Sequence, residues 1–256
     1  MPQPRLVAFD LDDTLAPSKS AIDPRIGDLL VALAERVDVA IISGGQLAQF
    51  TSQVVDRLPD ASAEALARLH LLPTCGTQYY RLTPDGIVTV YARALTDDQK
   101  SRALAAVEGE ARRLQLWESE TWGDILEDRG SQITFSALGQ RAPVEAKMAW
   151  DPTGEKKNTL RAAVAGLVPD LEVRSGGSTS VDITERGIDK AYGMRQLSEQ
   201  TGIPLDDMLF VGDRLDPDGN DYPVLAMGVA CQAVDGWEDT AEFLEGLIPT
   251  LQPSAS

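Results

Sequence analysis

The chain has 256 residues, 43% of them hydrophobic and 5% aromatic, enough for one sizeable core or for one core with a smaller appended domain. Its 23 Lys and Arg against 40 Asp and Glu give a net charge of -17, so the averaged field repels nucleic acid and anionic membranes, and an anionic substrate needs local cations. No run reaches the roughly 18 apolar residues of a membrane span, and "MPQPR" leads straight into a strand-like segment without the apolar stretch of a signal peptide; the expectation is a cytoplasmic protein with no nucleic-acid or membrane partner. Cys75 and Cys231 lie in unrelated patterns and read as small core residues in a reducing compartment rather than as a disulfide.

In chain order, "RLVAFDL" (5–11) is a short apolar strand, "IGDLLVALAER" (26–36) has helical spacing, "VDVAIIS" (37–43) is strand-like and "LAQFTSQVVDRL" (47–58) is helical again. The C-terminal part repeats the alternation: helix 189–202, strand 208–213, helix near 221–227, strand 228–234 and helix 237–248. Between them, "GIVTVYARA", a helix from Asp97 to about Leu114, "QITFSAL", a helix from Glu155 to Leu167, "LEVRS" and "TSVDIT" suggest an antiparallel sheet with helices on one face. The expected fold is α/β: a doubly wound, mainly parallel, Rossmann-like core (1–82 and 187–256) interrupted by an α+β insert (83–186), with only the tail "LQPSAS" disordered.

Asp10 and Asp12 stand two apart at the end of the first strand, so their side chains project to the same side, and ligands of open parallel sheets bind beyond such strand ends. Two carboxylates aimed at one point cost several kcal/mol unless a cation or proton compensates, and a hard divalent ion such as Mg²⁺ suits oxygen ligands while leaving room for phosphate and water. For an isolated D-x-D, a solvated acidic turn or helix cap is the simpler explanation. His70, the sole histidine, reads as structural; a turn accounts for Gly76 in "TCGTQ"; Trp117, Trp122 and Trp150 read as packing residues rather than a sugar platform.

"FDLDDTL" resembles the D-x-D-x-T/V motif of the haloacid dehalogenase superfamily, and "IISGG", "GIDKAYG" and "FVGDRLDPDGND" follow in that superfamily's order. The resemblance implies phosphoryl transfer through an aspartyl-phosphate: Asp10 as nucleophile and metal ligand, and Asp12 as acid/base with its carbonyl on the metal. Asp213 completes the Mg²⁺ ligands, Ser43, Lys190 and Asn220 lie on the phosphate side, and Asp221 supports the metal ligands from behind. Asp13 replaces a common glycine and is assigned no chemistry. The runs "LAPSKSAI", "RGSQITFSALG", "DPTGEKKNTLRAAV" and "VRSGGSTSVDITERGIDKAYG" make the insert similar to the C2 cap of eukaryotic-type phosphomannomutases. From that likeness, Lys19, Arg129, Ser180 and Asp182 are substrate and cap residues, and a homodimer through the insert is expected. Gln140 and Lys147 fall where the family carries arginines, with Arg141 a neighbour able to substitute and Arg174 and Arg186 as further candidates. A neutral amide and a point charge grip a second phosphate less well than guanidinium forks. The sequence therefore favours a phosphatase on a phosphorylated sugar or similar small metabolite, with a phosphomannomutase-like hexose-phosphate mutase as the alternative and a non-catalytic phospho-ligand binder as a third reading.

Overall fold

The computed structural model describes residues 3–176 and 178–252. Two compact units emerge, one formed by Met1–Ala92 with Asp189–Ser256 and the other by Arg93–Ile188.

In the first unit, β1 (Leu6–Phe9), β2 (Asp38–Ile42), β3 (Leu69–Leu72), β4 (Gln78–Thr83), β5 (Gly86–Ala92), β10 (Met208–Gly212) and β11 (Ala230–Ala233) form a seven-stranded sheet among the described residues, in the order β11-β10-β1-β2-β3-β4-β5. The five strands from β11 to β3 pair in parallel, and β4 and β5 add an antiparallel hairpin at one edge. Alternation along the strands sorts side chains to two faces. Val7, Phe9, Val39 and Ile41 pack against α1 (Pro24–Ala34), α2 (Leu47–Gln53), α3 (Ala63–Ala67) and α9 (Trp237–Leu247). Leu6, Ala8, Ala40 and Ile42 pack against α7 (Lys190–Thr201) and α8 (Tyr222–Ala226). Helices on both faces make the core doubly wound, as its alternating sequence implies.

"GIVTVYA", expected in the insert, is instead β5 of this sheet, and the first unit runs on to Ala92. Composition gave no warning, because an edge hairpin has the same texture as the insert's antiparallel strands. Two further expectations need correction. Cys75 and Cys231 are half-buried thiols outside any disulfide, and Cys231 packs at the margin of the core. Leu251, placed in the disordered tail, is buried and its carbonyl accepts from Arg36, whereas residues 253–256 lie outside the described residues.

The second unit holds a four-stranded antiparallel sheet in the order β6-β7-β9-β8, built from β6 (Leu126–Asp128), β7 (Gln132–Ser136), β8 (Leu171–Ser175) and β9 (Ser180–Glu185). Ile133, Phe135, Val181, Ile183 and Val173 bury one face against α4 (Asp97–Arg113) and α6 (Glu155–Leu167). A capping box between Thr96 and Gln99 starts α4. In this unit the sequence leaves two short elements unmarked, β6 and α5 (Val144–Trp150). Trp117 and Trp150 pack in this unit's own core, while Trp122 is exposed.

The turn Thr74–Gly76 is more than a connector. Thr74 and Cys75 have positive φ, Tyr91 donates to the Gly76 carbonyl at 2.7 Å, and Gly76 (φ +86°) lies so close to α7 that a Cβ would stand 2.6 Å from Gly193 Cα. Both the backbone conformation and the space call for glycine. Gly76→Ala is therefore expected to lower the unfolding free energy by about 2 kcal/mol or more in urea denaturation; an unchanged midpoint would contradict this packing.

Candidate active site

Register brings the candidate residues to one edge of the parallel sheet. Phe9 pairs with both Val211 and Ile41, so Asp10, Ser43 and Asp213 all follow at the carboxyl ends of three adjacent strands. Asp10 is buried, and its amide donates to the Val211 carbonyl at 3.0 Å. Lys190 opens α7 behind Asp189, whose carboxylate caps the helix by accepting from the Tyr192 amide. The Lys190 ammonium, 1% exposed, lies 2.7 Å from Asp10 Oδ1 and 2.5 Å from Asp221 Oδ1. Asp10 Oδ1 also accepts from the Leu11 amide at 2.7 Å, and Asp221 Oδ2 from the Arg214 amide at 3.0 Å. Gly212 leaves the space for this arrangement, since a Cβ there would run into the Asp221 carboxylate. Thr14 Oγ1 donates to Asp213 Oδ1 at 3.1 Å.

One oxygen each from Asp10, Asp213 and Asp221 lies within 4.8 Å of the others. Three carboxylates facing one ammonium leave an excess of two negative charges in a buried place. The titration behaviour follows: burial, reinforced by Asp221 and opposed by Lys190, pushes Asp10 up to about 7. Burial and Asp221 likewise raise Asp213. Burial alone would discharge Lys190, but Asp10 and Asp221 outweigh it and hold the ammonium above its usual value. An all-oxygen donor set with this surplus of charge fits a hard divalent cation. Asp221 lies in the same group of carboxylates, with one oxygen engaged by Lys190 and the other by the Arg214 amide.

Asp12 is half-buried; its Oδ1 accepts from the Lys19 amide at 2.7 Å, and burial raises its pKa against the opposing Lys19 interactions. Lys19 thus meets Asp12 through its backbone, with φ at +58°. Asp13 also adopts a left-handed conformation (φ +62°), and its carboxylate accepts from the Ser18 amide. That conformation supplies a physical reason for glycine to be common there and for Asp to be tolerated. Buried Ser43 accepts from the Gly45 amide through Oγ, while Asn220 is exposed on the loop after β10, next to buried Asp221.

The residues expected in the insert are described within the second unit. Its polar sheet face carries two hydrogen-bonded groups: Thr134 donates to Asp182 at 2.7 Å and Gln132 donates to Thr134, while Ser136 and Ser180 share a bond at 3.1 Å and Gln140 donates to Ser136 at 2.6 Å. Lys147 donates to the Gln140 carbonyl at 3.1 Å. Arg129, its side chain 7% exposed, is held by Glu127 at 2.7 Å, and Arg174 pairs with Glu172 at 3.1 Å. Arg141 is exposed beside Gly123, and Arg186 donates to the Pro169 carbonyl. Ser180 and Gln140 thus meet through Ser136, and Lys147 bonds to Gln140, while the sequence missed Glu127, which alternation on β6 could have placed on the face of Thr134. It also left Thr14 without a role, although its place in D-x-D-x-T was visible. His70 is structural, bonded to Tyr79 at 2.6 Å with Asp38 at 3.3 Å.

The raised Asp10 pKa fixes the sign of a pH effect. Folded protein takes up a proton on Asp10 more readily than the unfolded chain, so without metal this group's stabilisation is complete below about pH 4 and is lost as pH rises through about 7. A divalent cation must displace that proton at low pH. The increase in Tm on adding Mg²⁺ is therefore expected to be larger at pH 8 than at pH 5, and this difference should shrink in Asp10→Asn; an increase independent of pH in the native protein would contradict the cluster's assignment.

The chain is similar to known proteins along most of its length. The family model described as eukaryotic phosphomannomutase matches residues 26–249, starting after the Asp10–Asp13 segment. Phosphomannomutase of Saccharomyces cerevisiae is 25% identical over 256 residues, covering 94% of this chain and 93% of the yeast protein. Phosphomannomutase 1 of Homo sapiens is 24% identical over 231 residues, covering 86% and 83%. Among solved structures, a haloacid dehalogenase-like hydrolase from Bacteroides thetaiotaomicron superposes with a TM-score of 0.62 at 16% identity, covering 96% of this chain and 100% of the other. An N-terminally truncated IMP-nucleotidase of Plasmodium falciparum gives a TM-score of 0.73 at 12% identity, covering 96% and 70%. No helix of the described residues is long and apolar enough to cross a membrane. On a haloacid-dehalogenase-like fold, the chain belongs to the eukaryotic phosphomannomutase family.

Proposed function

We propose that the protein is a Mg²⁺-dependent phosphosugar phosphotransferase of the phosphomannomutase kind, acting in the cytoplasm on hexose phosphates through Asp10. This reverses the order favoured by the sequence, which placed hydrolysis first. The observation that carries the reading is the Lys190 ammonium set 2.7 Å from Asp10 Oδ1 beside Asp213 and Asp221, in a chain whose family match runs from 26 to 249.

Asp10, Asp213 and the Asp12 carbonyl would hold the Mg²⁺, which supplies charge neutralisation for the bound phosphate. The chain's own groups do the rest. Lys190 and the Leu11 amide both hold Asp10 Oδ1, so the other carboxylate oxygen is the one presented to phosphorus. As the Asp10 oxygen–phosphorus bond forms and the phosphorus–sugar oxygen bond breaks, Asp12 gives its proton to the departing sugar oxygen. In the second half, Asp12 takes a proton from a hydroxyl of the sugar phosphate, and that oxygen displaces Asp10. A raised Asp12 pKa suits both directions. Ser43 and Lys190 bind the equatorial oxygens, where charge is greatest in the transition state.

One observation favours hydrolysis as the second reading. Arg129 is already engaged by Glu127, and positions 140 and 147 lack guanidinium groups, so a bisphosphate is held less firmly and water has more time to take the phosphoryl group. The test follows mannose 1-phosphate and glucose 1-phosphate with Mg²⁺, with and without the cognate 1,6-bisphosphate. Conversion to the 6-phosphate, accelerated by bisphosphate and reduced about 1,000-fold or more in Asp10→Asn, is expected. Stoichiometric release of inorganic phosphate in place of isomerisation would make the protein a hydrolase.

A further inference from the structure

The C-terminal helix reaches into the site through a residue that no motif includes. Thr240 on α9 is fully buried, and its Oγ1 donates to the Thr14 carbonyl at 2.7 Å. The same hydroxyl lies 3.2 Å from the Gly236 carbonyl, one turn back in its own helix. A threonine in a helix often satisfies itself in that second way, but one hydroxyl proton cannot serve both acceptors fully, and the shorter contact takes it.

Thr14 in turn spends its side chain on Asp213 Oδ1 at 3.1 Å. A relay thus runs from α9 through the Asp10–Thr14 turn to the carboxylate after β10, joining three segments separated in sequence. The turn needs such an anchor. Asp13 sits in a left-handed conformation, and the Leu15 and Ala16 amides share the Leu11 carbonyl at 3.0 and 3.3 Å. A peptide held this tightly at Thr14 keeps the threonine hydroxyl aimed at Asp213 instead of rotating to solvent.

We propose that Thr240 is a positioning residue: by fixing the Thr14 peptide it sets the direction from which Asp213 presents its oxygen to a divalent cation. The inference rests on the cation reading of the Asp10, Asp213 and Asp221 cluster but not on the identity of the sugar.

The test uses the full-length protein without substrate. Thr240→Val keeps the volume and removes the hydroxyl, and Thr240→Ser keeps the hydroxyl. Calorimetric Mg²⁺ titration is expected to show about 10-fold weaker binding for Thr240→Val and near-native binding for Thr240→Ser. Amide exchange across residues 11–16, measured without metal, should be faster in Thr240→Val alone. In a double-mutant cycle, Thr14→Val with Thr240→Val should lose no more Mg²⁺ affinity than Thr14→Val by itself. Native affinity in Thr240→Val, equal losses in both Thr240 variants, or additive losses in the cycle would overturn the proposal. If Thr240→Val does not fold, Thr240→Ala is compared with Thr240→Ser by the same criteria. A wild type that binds Mg²⁺ but transforms no hexose phosphate would instead remove the proposed function and leave this relay standing.

Discussion

A single buried ammonium, shared between Asp10 and Asp221, is the interaction on which the rest of the structure depends. Removing charges from water is costly, and breaking a buried pair by deleting one partner typically costs about 3–5 kcal/mol because the other is left uncompensated. Here the arrangement is unbalanced by construction: Lys190 serves two carboxylates while Asp213 stands within reach of both. A protein selected only for stability would have no reason to bury a surplus of negative charge. An all-oxygen cluster with such a surplus is compatible with a divalent cation.

Placing that ammonium is a matter of backbone packing as much as of charge. Lys190 begins α7, and the position of α7 is set by glycines at close approaches: Gly76 meets Gly193, and the Gly76 carbonyl is held by Tyr91 from the last strand before the insert. On the opposite side, Gly212 admits the Asp221 carboxylate beneath the end of β10. Small residues therefore do for the site what larger ones do for the core, because they let charged groups from separate strands meet without solvent between them.

Much of this was legible in the sequence, and for identifiable reasons. The alternating strand and helix periods gave the doubly wound core, and Asp10, Ser43, Lys190 and Asp213 could be placed at strand ends or helix starts because hydrophobic runs stop there. What stayed hidden depends on distance between remote segments. Nothing in "GIVTVYA" reveals that it pairs with Gln78–Thr83 in the core sheet, since pairing partners leave no local mark. The Glu127 clamp on Arg129 needs the β-turn and strand face to be known, and Thr240 has the neighbours of any helical threonine. Asp13 was readable only in part: its departure from glycine was visible, while its left-handed backbone was not.

The second unit is built around its own polar sheet face. That face offers hydroxyls, amides and Asp182, and Arg129 and Arg174 are each paired to a glutamate. Mutase and hydrolase would still share the first half of the reaction, the transfer of phosphoryl to Asp10. The most direct measurement is therefore peptide mapping after brief exposure to a hexose 1,6-bisphosphate and acid quench: the account predicts one phosphoryl group, labile to hydroxylamine, on the peptide containing Asp10. A phosphoryl group on any other residue, or none while substrate is being turned over, would contradict it.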